Sequence, residues 1–208
     1  MSIFALLLLL LQRGILKALK IDSLLHLESF SAMSIDITAA LPSGTWTLYF
    51  HAPREKRWTL DTFKPIAKLS SIAELLSVFQ ELGDKIRRGM YFCMRDPTPP
   101  LWENYQNIRG GSYSIRGSFE DGGDLYKSYI VGAMLGRVAE APEDQIVGLS
   151  ISPKIMNGQN GIQRVGFYVI KIWNKDSEKY NSPAGIHLLH PKLVPSDVLY
   201  TPHVEKKM

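Results

Sequence analysis

The sequence predicts an α+β fold built on a largely antiparallel sheet. Short runs of aromatic and β-prone residues recur from Trp46 to Thr201, and only about three stretches look helical. The two patterns are interspersed without regular βαβ alternation, which argues against a parallel sheet. At 208 residues the chain fits one domain, because single cores stop growing only beyond about 250–300 residues. The globular pattern occupies 34–208. Residues 1–33 differ in composition: Phe4 to Leu11 is an unbroken apolar run containing six consecutive leucines. As a helix that run spans roughly 12 Å, against about 20 residues for a bilayer crossing. No Lys or Arg precedes it and no A-x-A site follows, so a signal peptide fits only in part. The expectation is a non-native or unstructured leader, with a membrane-surface helix as the functional alternative and Met33 as a natural second start.

Within the globular part, Trp46–Phe50 and Arg57–Leu60 read as the arms of a hairpin across His51-Ala-Pro-Arg-Glu55. Ser71-x-x-Glu74 is a capping box that opens the clearest helix, stopped by Gly83. Leu75, Val78, Phe79 and Leu82 share its main apolar face, and Ile72 and Leu76 fall on the margin. Gly89–Arg95 reads as a strand ended by the Pro-rich loop Asp96–Pro100. Arg109-Gly-Gly111 turns into a strand at Ser112–Ile115, and Asp124–Val138 suits a second helix. Ile146–Ile151 and Val165–Trp173 are late strands, punctuated between by Asn157-Gly158 and Asn160-Gly161. Ser182-Pro183 caps a short third helix before Pro191, and Val198–Thr201 makes a last edge strand.

Composition narrows the chemistry. The lone Cys93 excludes an intramolecular disulfide framework and a multi-cysteine zinc site, and fits a reducing compartment. Net charge is only +4, too small to argue nucleic-acid binding without clustering. The sequence holds no HExxH pair, no G-x-S-x-G elbow and no P-loop ending. The pairs Glu120-Asp121 and Glu143-Asp144 read as solvated turns. Neither a catalytic constellation nor a cofactor or metal site is expected.

The tryptophans say more. Trp46 sits mid-strand and reads as core. Trp58 follows Lys56 and Arg57, whereas Trp102 follows a Pro-rich loop and precedes Glu103. Two rings on separate loops can sandwich a planar base while a neighbouring carboxylate accepts from its N–H edge. Lys154, Arg164 and Lys171 lie in a stretch from Ser150 to Trp173 that has no acidic residue, which suits phosphates.

Trp46-x-x-x-Phe50, Trp58, Phe63-x-Pro-Ile66, Pro100-Leu-Trp-Glu-Asn104, Arg109-Gly-Gly111 and Ile170-Lys-Ile-Trp173 together resemble the eukaryotic translation initiation factor 4E family. The resemblance runs from about Thr45 to Pro202. It implies a curved antiparallel sheet with helices on the convex face and a slot for the 7-methylguanosine cap of messenger RNA on the concave face. It further implies that Trp58 and Trp102 sandwich the methylated base and that Glu103 accepts from its Watson–Crick edge. The Trp102 backbone N–H would donate to the base carbonyl. Trp173 would lie against the N7-methyl group and Lys154 would hold triphosphate. Arg164 and Lys171 are the candidates for a second phosphate contact, because the segment from Lys154 to Trp173 is longer than the family's usual one.

One departure concerns the first helix. Where family members carry an exposed tryptophan for the helical peptide of a 4G-type scaffold or a 4E-binding regulator, this chain has Leu76, with Ile72 one turn back. Ile72 and Leu76 are thus the expected partner-binding pair, without an aromatic anchor. The resemblance implies a cytoplasmic binding protein of translation initiation rather than an enzyme, with no stable membrane association. A cap-binding repressor or decoy and a general single-stranded RNA module are the alternatives.

Overall fold

Seven strands form one curved antiparallel sheet in the order β2-β1-β3-β5-β6-β4-β7. The strands are β1 (Trp46–His51), β2 (Lys64–Leu69), β3 (Met90–Arg95), β4 (Gly111–Ser118), β5 (Ile146–Asn157), β6 (Gln163–Asn174) and β7 (Val198–Pro202). Among the described residues, two α-helices, α1 (Ile72–Leu82) and α2 (Gly122–Met134), lie against one face. This computed structural model describes residues 36–204 except 141, 143–144, 158–162 and 191–192. The leader, the Glu143-Asp144 pair and the Asn160-Gly161 turn lie outside the described residues. Among the described residues, no helix is long and apolar enough to cross a membrane.

Period-two alternation separates the two faces of the sheet. Tyr113 and Ile115 of β4, Leu149 and Ile151 of β5, and Tyr168, Ile170 and Ile172 of β6 are buried with Leu75, Phe79, Tyr126 and Ile130 in the main core. The intervening residues face the other way. In register across β5, β6 and β4 they form rows: Gly148–Trp173–Ser112, Ser150–Lys171–Ser114, Ser152–Val169–Arg116 and Lys154–Phe167–Ser118. This second face carries its own small cluster of Phe63, Met90, Phe92, Met94, Val147 and Trp173.

Several elements differ from the sequence reading. The partner of β1 in the first hairpin is Lys64–Leu69, not Arg57–Leu60. Residues 57–60 leave the ladder because Arg57 bonds Glu55 and Asp61 and Trp58 stacks outside the sheet on His51. β2 sits at the edge, where Pro65 is tolerated. The α1 cap forms as expected, with Glu74 N–H donating to Ser71 Oγ at 3.3 Å. The Glu74 carboxylate reaches one residue further back, to the Ser70 N–H at 2.6 Å.

Helix α2 ends four residues before Val138, because Gly136 adopts φ 66° and turns the chain away. The expected third helix is only a 3-10 turn, Pro183–Gly185. Ser182 makes no side-chain cap there, and the chain beyond it bonds in extended form instead. Ile186 bridges to Ala139 and the His187 N–H donates to Val138 O at 3.0 Å.

The largest correction concerns Ile72 and Leu76. Both are buried, at 5% and 1% exposure, and belong to the main core. The segment before β1 accounts for this: the Ala73 N–H donates to Ile37 O at 2.8 Å and the Leu41 N–H to Ser70 O at 2.9 Å. That strap lays Ile37 and Leu41 over the start of α1, so the margin that would be open on an isolated helix is covered.

Candidate functional site

The face of the sheet away from the helices holds a cleft of about 590 Å³. Trp58, Trp102 and Glu103 line it from loops, and Phe92, Ser150, Ser152, Lys154, Lys171 and Trp173 line it from β3, β5 and β6, with Lys154 lying three rows along the sheet from Trp173. Thus Trp58, Trp102, Glu103, Trp173, Lys154 and Lys171, separated by up to 115 positions in sequence, meet in one place. Trp58 and Trp102 are exposed at 48% and 45%, a large apolar area to leave in water unless a ligand covers it.

Each ring is held by a distinct device. Trp58 precedes a 3-10 turn at Leu60–Thr62, and its indole stacks on the buried imidazole of His51. Trp102 lies on the Pro-rich loop, which is pinned by the buried Asn107: its side-chain amide donates to Pro99 O at 2.8 Å and Leu101 O at 2.7 Å. Trp173 is buried, with its Nε1–H donating to Ser150 Oγ at 3.2 Å and its ring edge-on to Phe92 and His203. It is therefore held in place on the sheet, whereas the two outer rings stand half-exposed on loops.

The basic end is electrostatically tense. The half-buried Lys171 donates to Ser112 Oγ at 3.3 Å, and its ammonium pKa is lowered, first by desolvation and then by the charge of Lys154. Two ammonium groups close enough to feel each other, one of them partly dehydrated, make a site that an anion relieves. His203 also lines the cleft; its Nδ1 lies 2.9 Å from Asn107 O, and burial lowers its pKa.

Arg164 does not join this group. It lies near the far tip of the β5–β6 hairpin, opposite Met156, and lines a separate depression. Of the two candidates for a second phosphate contact, only Lys171 is in the cleft. Sequence reasoning missed His51, Asn107, His203 and the row serines. A histidine or asparagine acting behind an aromatic leaves no local pattern; only the register that brings it there reveals it. Among the described residues, no group of three or more His, Cys, Asp and Glu side chains is placed to hold a metal.

The chain is similar in sequence to several known proteins. Curated relatives include the eukaryotic translation initiation factor 4E of Saccharomyces cerevisiae, 24% identical over 142 residues, 64% of this chain and 61% of that protein. The Candida glabrata factor is 23% identical over 142 residues and covered to 62%. The chain thus spans less than two thirds of the length of either. Similar solved structures include a complex of Ascaris suum eIF4E-3 with m7G cap, at TM-score 0.49 and 18% identity, covering 65% of this chain and 73% of that one. The same nematode protein with m2,2,7G cap gives TM-score 0.49 and 21% identity, with 65% and 73% covered. The family model described as Eukaryotic initiation factor 4E matches residues 43–203, a stretch that contains both tryptophan loops and all seven strands. On that match, which takes in well over half of the sequence, the chain belongs to the eukaryotic initiation factor 4E family.

Proposed function

We propose that the cleft binds the 7-methylguanosine cap of messenger RNA in cytoplasmic translation initiation, with the methylated base sandwiched between Trp58 and Trp102. The observation that carries this reading is the pair of half-exposed indoles sharing a cleft with Glu103 and, at its other end, with Lys154 and Lys171. Methylation at N7 makes guanine a cation, and a cation gains from the electron-rich faces of two indoles. Stacking is worth roughly 1–3 kcal/mol per base, and a desolvated cation–π contact about 2 kcal/mol. Glu103 accepts from the base N–H groups, and the two lysines pair with phosphates. Trp173 meets the methyl group. The protein holds its ligand without chemistry on it.

A helical segment of a 4G-type scaffold is the proposed protein partner, but not through Ile72 and Leu76, which are core. The accessible side of α1 offers Ala73, Glu74, Ser77, Val78, Gln80 and Glu81, with no aromatic anchor. That observation favours a second reading, a cap-binding repressor or decoy that does not recruit a scaffold.

The test is titration with 7-methyl-GTP and with GTP, read by intrinsic fluorescence. Quenching by the methylated nucleotide at much lower concentration than by GTP is expected. Trp58→Ala and Trp102→Ala should each cost roughly 1–3 kcal/mol, and Glu103→Ala at least about tenfold. Absence of quenching and of binding at high micromolar 7-methyl-GTP would end the cap reading.

A further inference from the structure

We propose that the notch beyond Lys154, at the end of β4, receives the nucleotides that follow the cap's triphosphate, so that the protein grips single-stranded RNA as well as the cap. This rests on the cap reading above. The notch, about 880 Å³, is lined by Arg116, Phe119, Glu120, Met156, Arg164 and Phe167 among others. It adjoins the cleft directly, because Phe167 is the cross-strand partner of Lys154, and Arg116 that of Val169 one row nearer Trp173.

Distance along the sheet supports the assignment. From Trp173 to Phe167 is six residues of one strand, or roughly 20 Å at about 3.3 Å per residue. An edge-on base at Trp173 and a triphosphate near Lys171 and Lys154 place the next nucleosides at that end. The pairing of β6 with β4 stops at Phe167, and β6 continues toward Gln163 beside β5 alone. The missing neighbour leaves the space that makes the notch.

The side chains there suit a nucleotide better than a protein helix. The Arg116 guanidinium carbon lies over the Phe167 ring, 4.1 Å from its centroid, which brings a cation and an aromatic face together in the notch. Phe119, which lines the notch, is 46% exposed, with its ring centroid 6.5 Å from that of Tyr168 and the planes 19° apart, so it offers aromatic surface to a ligand there. Two arginines against one glutamate make the local balance positive. Aromatic faces interleaved with guanidinium groups bind bases and phosphates without reading sequence.

The experiment compares 7-methyl-GTP with a capped pentanucleotide on the full chain, for wild type and for Arg116→Gln, Phe119→Ala and the double variant. Wild type is expected to bind the capped pentanucleotide roughly tenfold or more tighter than 7-methyl-GTP, the lower part of what one stacked base gives. The double variant should lose that gain while its affinity for 7-methyl-GTP changes by less than about twofold, as for a separate site. Equal wild-type affinity for the two ligands overturns the inference and leaves the cap reading standing. A gain that survives in the double variant overturns it too. If wild type binds 7-methyl-GTP no better than GTP, the cap reading falls and takes this inference with it.

Discussion

The imidazole of His51 lies flat on the indole of Trp58, with centroids 4.4 Å apart and planes 8° from parallel. His51 is fully buried at the end of β1, and its Nε2 lies 3.1 Å from the Arg57 carbonyl. One histidine thus sets both the backbone before Trp58 and the tilt of its ring. An indole already held in place loses less freedom when a base stacks on it, so part of the affinity resides behind the ring. His51→Ala is expected to weaken 7-methyl-GTP binding by about three- to tenfold. His51→Phe, which restores a flat backing, should recover most of it. Fluorescence titration decides the point: equal affinity for His51→Ala and wild type would show that Trp58 needs no support.

Lys171 and Lys154 make a separate prediction. The depressed Lys171 ammonium pKa, caused by burial and then by Lys154, means its charge is held at a cost in the free protein. Lys171→Met should therefore leave thermal stability unchanged or raised. It should also reduce the gain in affinity from mono- to triphosphate cap analogues, and Lys154→Met should do the same. Arg164→Met, placed on the far depression, should not. Added salt should shrink the wild-type gain, because phosphate pairing is screened. A mono-to-triphosphate gain that survives both lysine changes would move the phosphate site elsewhere.

Legibility divides along the same line. The strands from Met90 onward, the α1 cap and the candidates Trp58, Trp102 and Glu103, which line one cleft, follow from local signals: aromatic and aliphatic runs, Ser71-x-x-Glu74, and a tryptophan beside a carboxylate after prolines. What escaped depended on distant chain. The Arg57–Leu60 run has strand composition, but β1 takes its partners from Lys64–Leu69 and β3. The choice between Arg164 and Lys171 turns on register, since Lys171 pairs with Ser150 in the cleft and Arg164 with Met156 near the hairpin tip. Periodicity gives the angle of a side chain on its helix, not what later packs over it, and the strap that covers Ile72 and Leu76 has no periodicity of its own.

Leu76 now carries a stability prediction in place of a partner one. It is 1% exposed among Leu75, Leu41 and Phe79 in the main core. Leu76→Ala should cost about 2–5 kcal/mol, the range for a large-to-small change that leaves a cavity. Leu76→Glu should prevent folding, since a lone carboxylate would have no partner there. Urea unfolding of Leu76→Ala measures the first, and a shift under about 0.5 kcal/mol, typical of surface positions, would return Leu76 to the surface.

His203 gives the pH dependence. Its pKa is lowered, mainly by burial, while the Asn107 carbonyl opposes the shift and Lys171 adds to it. The imidazole packs against the Trp173 ring with centroids 5.0 Å apart and planes 71° apart, in the setting whose burial disfavours its charged form. A His whose folded pKa lies below its unfolded value resists protonation only while folded. Above about pH 6.5, the ordinary His value, both states are neutral and folding loses nothing. As pH falls from there toward the lower folded pKa, the unfolded chain takes up the proton first and stability drops. Wild type should therefore melt at lower temperature at pH 5.5 than at pH 7.5, and His203→Gln should show a shallower fall across that window. Ligand binding should follow the same sign, because His203 and Lys171 line one cleft and a second positive charge beside Trp173 opposes a cationic base. Melting curves for the two proteins at both pH values are the measurement. An identical fall in wild type and His203→Gln would assign the pH dependence to other groups.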